Sequence, residues 1–301
     1  MTRRVSAQGL TLGLRRQVAG GLEGLYESAL RGEGSVFEEL REYVPGDDVR
    51  FIDWNVTARM QSPHVKVFRQ ERRVRLVFVI DQSMSMCESE NGRTKFHAAA
   101  QMLAALAATA CDHGDEVVVL STHSSELLRP TRSIGYLDAF LRQLQQPQLG
   151  QGRADLGRVS ERIRPFITKQ TIVILLSDLG FSTPTQDSAG TIRKVLSQYE
   201  WVALVPQVSG KSLPAGIWQG RDGETNESGV FKFDPKSRQS PAAYWTQQLQ
   251  KNNHDVVTYS PAAEPGGILV KWLKARARTP RAWRGSGNRS ASIPDRGIDR
   301  G

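Results

Sequence analysis

Between Val74 and Pro206 the chain alternates short apolar runs with longer stretches of helical period. Val74–Ile80 is apolar at nearly every position, as expected of a strand covered on both faces. Thr94–His113 is rich in Ala and Leu. It stops at Gly114, a residue suited to the left-handed turn that ends helices. Its stretch Ala98–Cys111 reads as a buried helix. Glu116–Ser121, Thr171–Leu176 and Trp201–Pro206 read as three further strands, and Ser125–Arg129 as a short strand hairpinned onto the first of these. Helical patterns fall between them at Ile134–Gln145, Asp155–Ile167 and Thr191–Gln198. After Pro206 the pattern loosens. Ser209–Ser228 is Gly-rich and polar, and Val230–Phe233 alternates like an edge strand. Pro241–Asn252 carries an apolar helical stripe, Val256–Tyr259 is a last strand, and Ile268–Leu273 gives a last helical turn or two.

Upstream, residues 1–31 read as an amphipathic helical lead-in broken at Gly20 and Gly21. Residues 32–72 hold the turn Pro45-Gly46-Asp47-Asp48, a short helix or loop around Trp54, and an alternating strand His64–Phe68. Trp54 is expected to pack beneath the turn, with Arg50 and Asp53 forming a local ion pair. Repeated strand–helix units with doubly buried strands predict an α/β fold, a doubly wound, mostly parallel sheet with helices on both faces and a small N-terminal extension. The divisions expected are 1–72, a main domain at 73–275, and a basic, disordered tail at 276–301. Ligands of such folds bind beyond the carboxyl ends of the strands. The loops after Ile80, Ser121 and Leu176 should therefore meet at one rim.

Composition adds less. The net charge is +9, but nine basic and two acidic residues lie from Lys271 onward, so the rest of the chain is nearly balanced. Two cysteines, Cys87 and Cys111, make no disulfide framework. The N-terminus lacks an apolar leader core and no run is long enough to span a bilayer, so the expected compartment is the cytoplasm.

The chemistry concentrates after the first buried strand. Asp81, Ser83 and Ser85 place one carboxylate and two hydroxyls at alternate positions of a tight loop, and Asp178 follows the third strand. Hydroxyls with one or two carboxylates suit a hard cation that keeps some of its waters, which favours Mg²⁺ over Mn²⁺ or Ca²⁺. The competing reading is that Asp81 and the serines cap the following turn.

Asp-x-Ser-x-Ser resembles the metal-ion-dependent adhesion site of the von Willebrand factor A family, in which a Thr and an Asp come from two later loops. The resemblance assigns Asp81, Ser83, Ser85 and Asp178 to a metal. It fails at the Thr, because Gly152-Arg153-Ala154-Asp155-Leu156 has Ala154 there, which leaves Asp155 as the substitute ligand. The segment Phe37–Trp54 closely resembles the signature of the domain of unknown function 58 family, von Willebrand-like proteins encoded beside MoxR-type AAA+ ATPases. Asp222-Gly223-Glu224-Thr225 resembles a second segment of that group. The resemblance spans about residues 30 to 260. It implies a non-enzymatic, metal-dependent adaptor that helps a MoxR-like ATPase mature a client protein complex.

Two other classes remain open. The Arg-rich tail, with Trp283, would bind nucleic acid, although no recognisable nucleic-acid fold accompanies it. A metal-dependent hydrolase would use Asp81 and Asp178. No P-loop and no Ser-His-Asp set can be assembled from the sequence.

Overall fold

The computed structural model describes residues 24–31, 37–68, 73–123, 125, 127–144, 154–168, 170–181, 196–208, 216–221, 228–233 and 241–278. In chain order the elements are β1 (Phe37–Glu42), α1 (Trp54–Met60), β2 (His64–Phe68), β3 (Arg75–Ile80), β4 (Ser89–Glu90), β5 (Arg93–Thr94), α2 (Lys95–Asp112), β6 (Glu116–Ser121) and β7 (Leu127–Thr131). They continue with α3 (Ile134–Gln143), α4 (Leu156–Ile163), β8 (Thr171–Leu176), β9 (Glu200–Pro206), β10 (Gly216–Arg221), β11 (Ser228–Phe233), α5 (Pro241–Lys251), β12 (Asp255–Tyr259) and α6 (Pro265–Ala277).

Six strands form the central sheet in the order β12-β9-β8-β3-β6-β7. All neighbours are parallel except β7, which runs antiparallel to β6 at one edge. The apolar runs occupy its middle. Leu76 to Ile80 of β3 are wholly buried, each worth about 1.5–3 kcal/mol relative to exposure.

Alternation splits each strand between two cores. Leu76, Phe78 and Ile80 face α2, α3 and α6, whereas Val77 and Val79 face α4 and α5. Fifteen of the eighteen residues of α2 are buried, which makes it the central helix of its layer. Thr94 caps its start by accepting from His97 N. At its end Gly114 takes φ +75°, Asp115 N donates to Ala110 O and Gly114 N to Cys111 O, the paired bonds of a glycine-terminated helix.

Several expectations change. The segment Phe37–Glu42, read as part of an irregular stretch, is a strand paired antiparallel with β2, and β10 lies inside the Gly-rich stretch, paired with β11. The helix at Asp155 is shorter, ending at Ile163 before a 3-10 turn at Arg164–Phe166. Of the helix expected at Thr191–Gln198 only residues 196–198 are described.

Trp54 does not pack beneath the turn. It opens α1 and is 69% exposed. Its neighbour Asp53 serves as the cap, accepting from Asn55 N and Val56 N, and its charge pairs with Lys66 rather than Arg50. Arg50 pairs with Asp48, and Asp47 is gripped by Arg41 through two bonds of 2.7 and 2.8 Å while accepting from Val44 N. The turn is therefore held by its own side chains and needs no aromatic beneath it.

The last helix is also longer than expected, and it moves the start of the tail. Arg276 is almost fully buried, pairing with Glu200 and with Asp255 Oδ2 at 2.6 Å and donating to Ala29 O. That network ties α6 to the starts of β9 and β12 and to the helical segment 24–31. Tyr26 and Leu30 of that segment are buried in the same core as α2 and α6. The lead-in residues 1–23 and the tail beyond 278 lie outside the described residues.

Candidate functional site

Three adjacent strands end in the order β8-β3-β6, and the first residue after each carries an oxygen: Ser177, Asp81 and Thr122. Parallel pairing aligns them, because Asp81 N donates to Leu176 O and Thr122 N to Ile80 O, extending the ladder by one residue. Asp81 is wholly buried. Its Oδ2 accepts from Ser177 Oγ at 2.5 Å, and its Oδ1 accepts from Ser83 N at 2.8 Å and Thr122 Oγ1 at 3.2 Å. Burial, and after it the charge of Asp178, push the Asp81 carboxyl above its ordinary value, against the opposing bonds from Ser177 and Ser83.

Ser83 and Ser85 stand beside it. Ser83 begins a 3-10 turn over Met84–Cys87, and its Oγ lies 3.0 Å from Ser85 Oγ. Ser85 Oγ lies 3.2 Å from Asp178 Oδ1, which also accepts from Gly180 N at 3.1 Å. Leu179 between them is held at φ +61°, rare for a residue other than glycine, with its N–H donating to Ser177 Oγ at 2.9 Å. Gly180 has a packing role here: a Cβ on it would come within 3.1 Å of Asp178 Oδ1 and 3.5 Å of Ser85 Oγ.

Four of the five sequence candidates, Asp81, Ser83, Ser85 and Asp178, thus form one connected cluster. Asp155 does not join it. Its carboxylate caps α4 by accepting from Gly157 N at 2.7 Å, and its side chain is more than half exposed. Ala154 is buried in the apolar core on the α4 side of the sheet. The loop expected to supply a hydroxyl supplies a core methyl instead, and the Thr122 hydroxyl reaches Asp81 from the loop after β6.

The sequence reading passed over Thr122, Ser177, Gly180 and Lys95. The first two were accessible, since each directly follows a strand adjacent to β3. Lys95 gave no such signal. It opens α2, is 8% exposed, and its ammonium lies 3.0 Å from Asp178 Oδ2 while also pairing with Glu88. Burial pulls its pKa down, but the charges and hydrogen bonds of Asp178 and Glu88 outweigh that, leaving it above the ordinary value.

Ser83 Oγ, Ser85 Oγ and Asp178 Oδ1 follow one another at 3.0 and 3.2 Å, ordinary hydrogen-bond spacings that are also close to the roughly 3 Å between neighbouring oxygens around an octahedral ion. The gathered oxygens are two serine hydroxyls and two carboxylates, and among the described residues no three His, Cys, Asp or Glu side chains gather as a metal group.

Fold and site together define an α/β protein with an acid–hydroxyl cluster at the carboxyl rim of a mostly parallel sheet. Residues 39–253 match the family described as Protein of unknown function DUF58, and the chain belongs to that family. It is 29% identical over 235 residues to the Uncharacterized protein Rv1480 of Mycobacterium tuberculosis, and equally to the Uncharacterized protein Mb1516 of Mycobacterium bovis. The matches cover 76% of this chain and 73% of each relative. Among solved structures, it is similar to the conserved hypothetical protein BatB from Bacteroides thetaiotaomicron, at 14% identity and a TM-score of 0.42, covering 68% of this chain and 100% of that one. It is also similar to an aerotolerance-related membrane protein from Bacteroides fragilis, at 14% identity and a TM-score of 0.45, covering 68% and 98%. Among the described residues of this chain, no helix is long and apolar enough to cross a membrane.

Proposed function

We propose that this chain is a non-enzymatic, von Willebrand factor A-like adaptor. Its rim would hold a divalent cation, Mg²⁺ before Mn²⁺ or Ca²⁺, and use it to capture an acidic group of a partner protein. Ser83, Ser85 and Asp178 would hold the ion, with Asp81 beneath them ordering the loop. The cation would supply an open position for a carboxylate. The partners inferred are a MoxR-like AAA+ ATPase and a client complex under maturation, in the cytoplasm. What carries the reading is the connected cluster in which Asp81 accepts from Ser83 N, and the Ser83 and Ser85 hydroxyls lead on to Asp178.

The test is calorimetric titration of Mg²⁺ into the wild type and Asp81→Asn, followed by capture of a purified MoxR-type ATPase in Mg²⁺ and in EDTA. Wild type should bind the ion and retain the ATPase only when it is present, and the variant should do neither. Capture of the ATPase to the same extent by both proteins, in Mg²⁺ and in EDTA alike, would end the proposal.

A further inference from the structure

A buried carboxylate, Asp81, and a mostly covered one, Asp178, meet at the rim, and among the described residues a single cationic side chain touches either of them. Asp178 and Lys95 each have side chains only 10% exposed, and the ammonium sits on Asp178 Oδ2 at 3.0 Å. The other oxygen, Oδ1, faces Ser85. Lys95 has a second partner in Glu88, whose side chain is 62% exposed at the solvent edge. The amine is thus suspended between an inner carboxylate shared with the cluster and an outer one that water also reaches.

A divalent ion entering between Ser83, Ser85 and Asp178 would share Asp178 with that ammonium. Like charges held at such range in a largely dry site repel strongly. One of them must give way, and the lysine stem is flexible and already held from outside by Glu88. We propose that Lys95 is a tethered counter-ion that bridges Asp178 and Glu88 when the rim holds no metal, and that it releases Asp178 while keeping Glu88 when a metal enters. Lys95 thereby offsets the charge of Asp178 in the metal-free rim and sets how weakly the site takes a divalent cation. This rests on the metal-binding reading above.

The experiment titrates Mg²⁺ and Mn²⁺ by calorimetry into full-length wild type, Lys95→Met, Lys95→Gln and Lys95→Arg, each checked for folding by circular dichroism. Both uncharged variants should bind the ions about tenfold tighter or more, since the competing charge is gone. Lys95→Arg should stay near wild type. A lysine that merely supported the fold would do the opposite, weakening the site when removed. If whichever uncharged variant folds binds Mg²⁺ no tighter than a wild type that does bind it, the counter-ion role is overturned while the metal site stands. If neither wild type nor any variant binds a divalent ion, the metal reading fails and takes this role with it.

Discussion

Ser177 offers the sharpest test of how the rim is built. Its hydroxyl donates to Asp81 Oδ2 at 2.5 Å and accepts from Leu179 N at 2.9 Å, and the residue is wholly buried. Ser177→Ala removes both at once. A hydrogen bond to a charged group is worth about 1.5–3 kcal/mol, and a buried N–H left without a partner costs about 1–3 kcal/mol. Asp81 is already disfavoured by its burial, and Leu179 already holds a left-handed backbone, so neither has slack to absorb the loss. Taking the lower half of each range, the variant should lose about 3 kcal/mol. At about 2–4 °C per kcal/mol for a domain of this size, that lowers Tm by about 6–12 °C. Urea unfolding in EDTA, followed by tryptophan fluorescence, reads the loss directly, with an unchanged denaturant slope showing that the folded state is otherwise intact. Thr122→Val, which removes the longer 3.2 Å contact, should cost less. A Ser177→Ala loss below about 1 kcal/mol would mean that Asp81 finds replacement donors, and the picture of a dry, fully ordered anchor would be wrong.

Two further predictions probe the frame around the site. Arg276→Met takes the guanidinium away from Glu200 and Asp255, leaving their mostly covered carboxylates without that positive charge, and should cost about 3–5 kcal/mol in thermal or urea melts. Adding Glu200→Gln and Asp255→Asn should recover most of it, and no loss in the single variant would show that α6 is not anchored there. Asp48, hydrogen-bonded by the Arg50 side chain and backbone, should titrate near about 2 by NMR, and Arg50→Ala should return it toward 3.8. Because its folded pKa is depressed, the pair's small contribution is present above the ordinary value of 3.8 and fades as pH falls toward about 2. A wild-type midpoint near 3.8 would show the ion pair is not held in solution.

The sheet strands were legible because a strand covered on both faces has no polar positions to hide its pattern. Val74–Ile80 and Thr171–Leu176 could be placed from composition alone, and Gly114 marked the end of α2 through a conformation that side chains disfavour. The gathering of Asp81, Ser83, Ser85 and Asp178 followed too, since parallel strands deliver their following loops to one end. The strand Phe37–Glu42 was not legible, because the sequence FEELRE has no apolar alternation and its pairing depends on a partner more than twenty residues away.

Other features depended on contacts between distant segments, and local pattern carries no trace of those. Ala154 and Asp155 sit where a ligand loop was expected, yet packing sends one to the core and the other to cap α4. Trp54 is large and apolar, which suggested burial, but the ion pairs of Asp47, Asp48 and Asp53 already satisfy its turn and leave the indole outside. Arg276 read as the first residue of a loose tail until Glu200 and Asp255, from the starts of two strands, enclosed it. Lys95 belongs to the same group: whether a lysine at a helix start faces water or a buried carboxylate is decided by the loop after another strand. The layers, and the end of the sheet where chemistry collects, could be read from residue order because both follow from local burial. Which charges meet there is a matter of the folded chain, since pairing in a dry site depends on residues 83 positions apart arriving within hydrogen-bond distance.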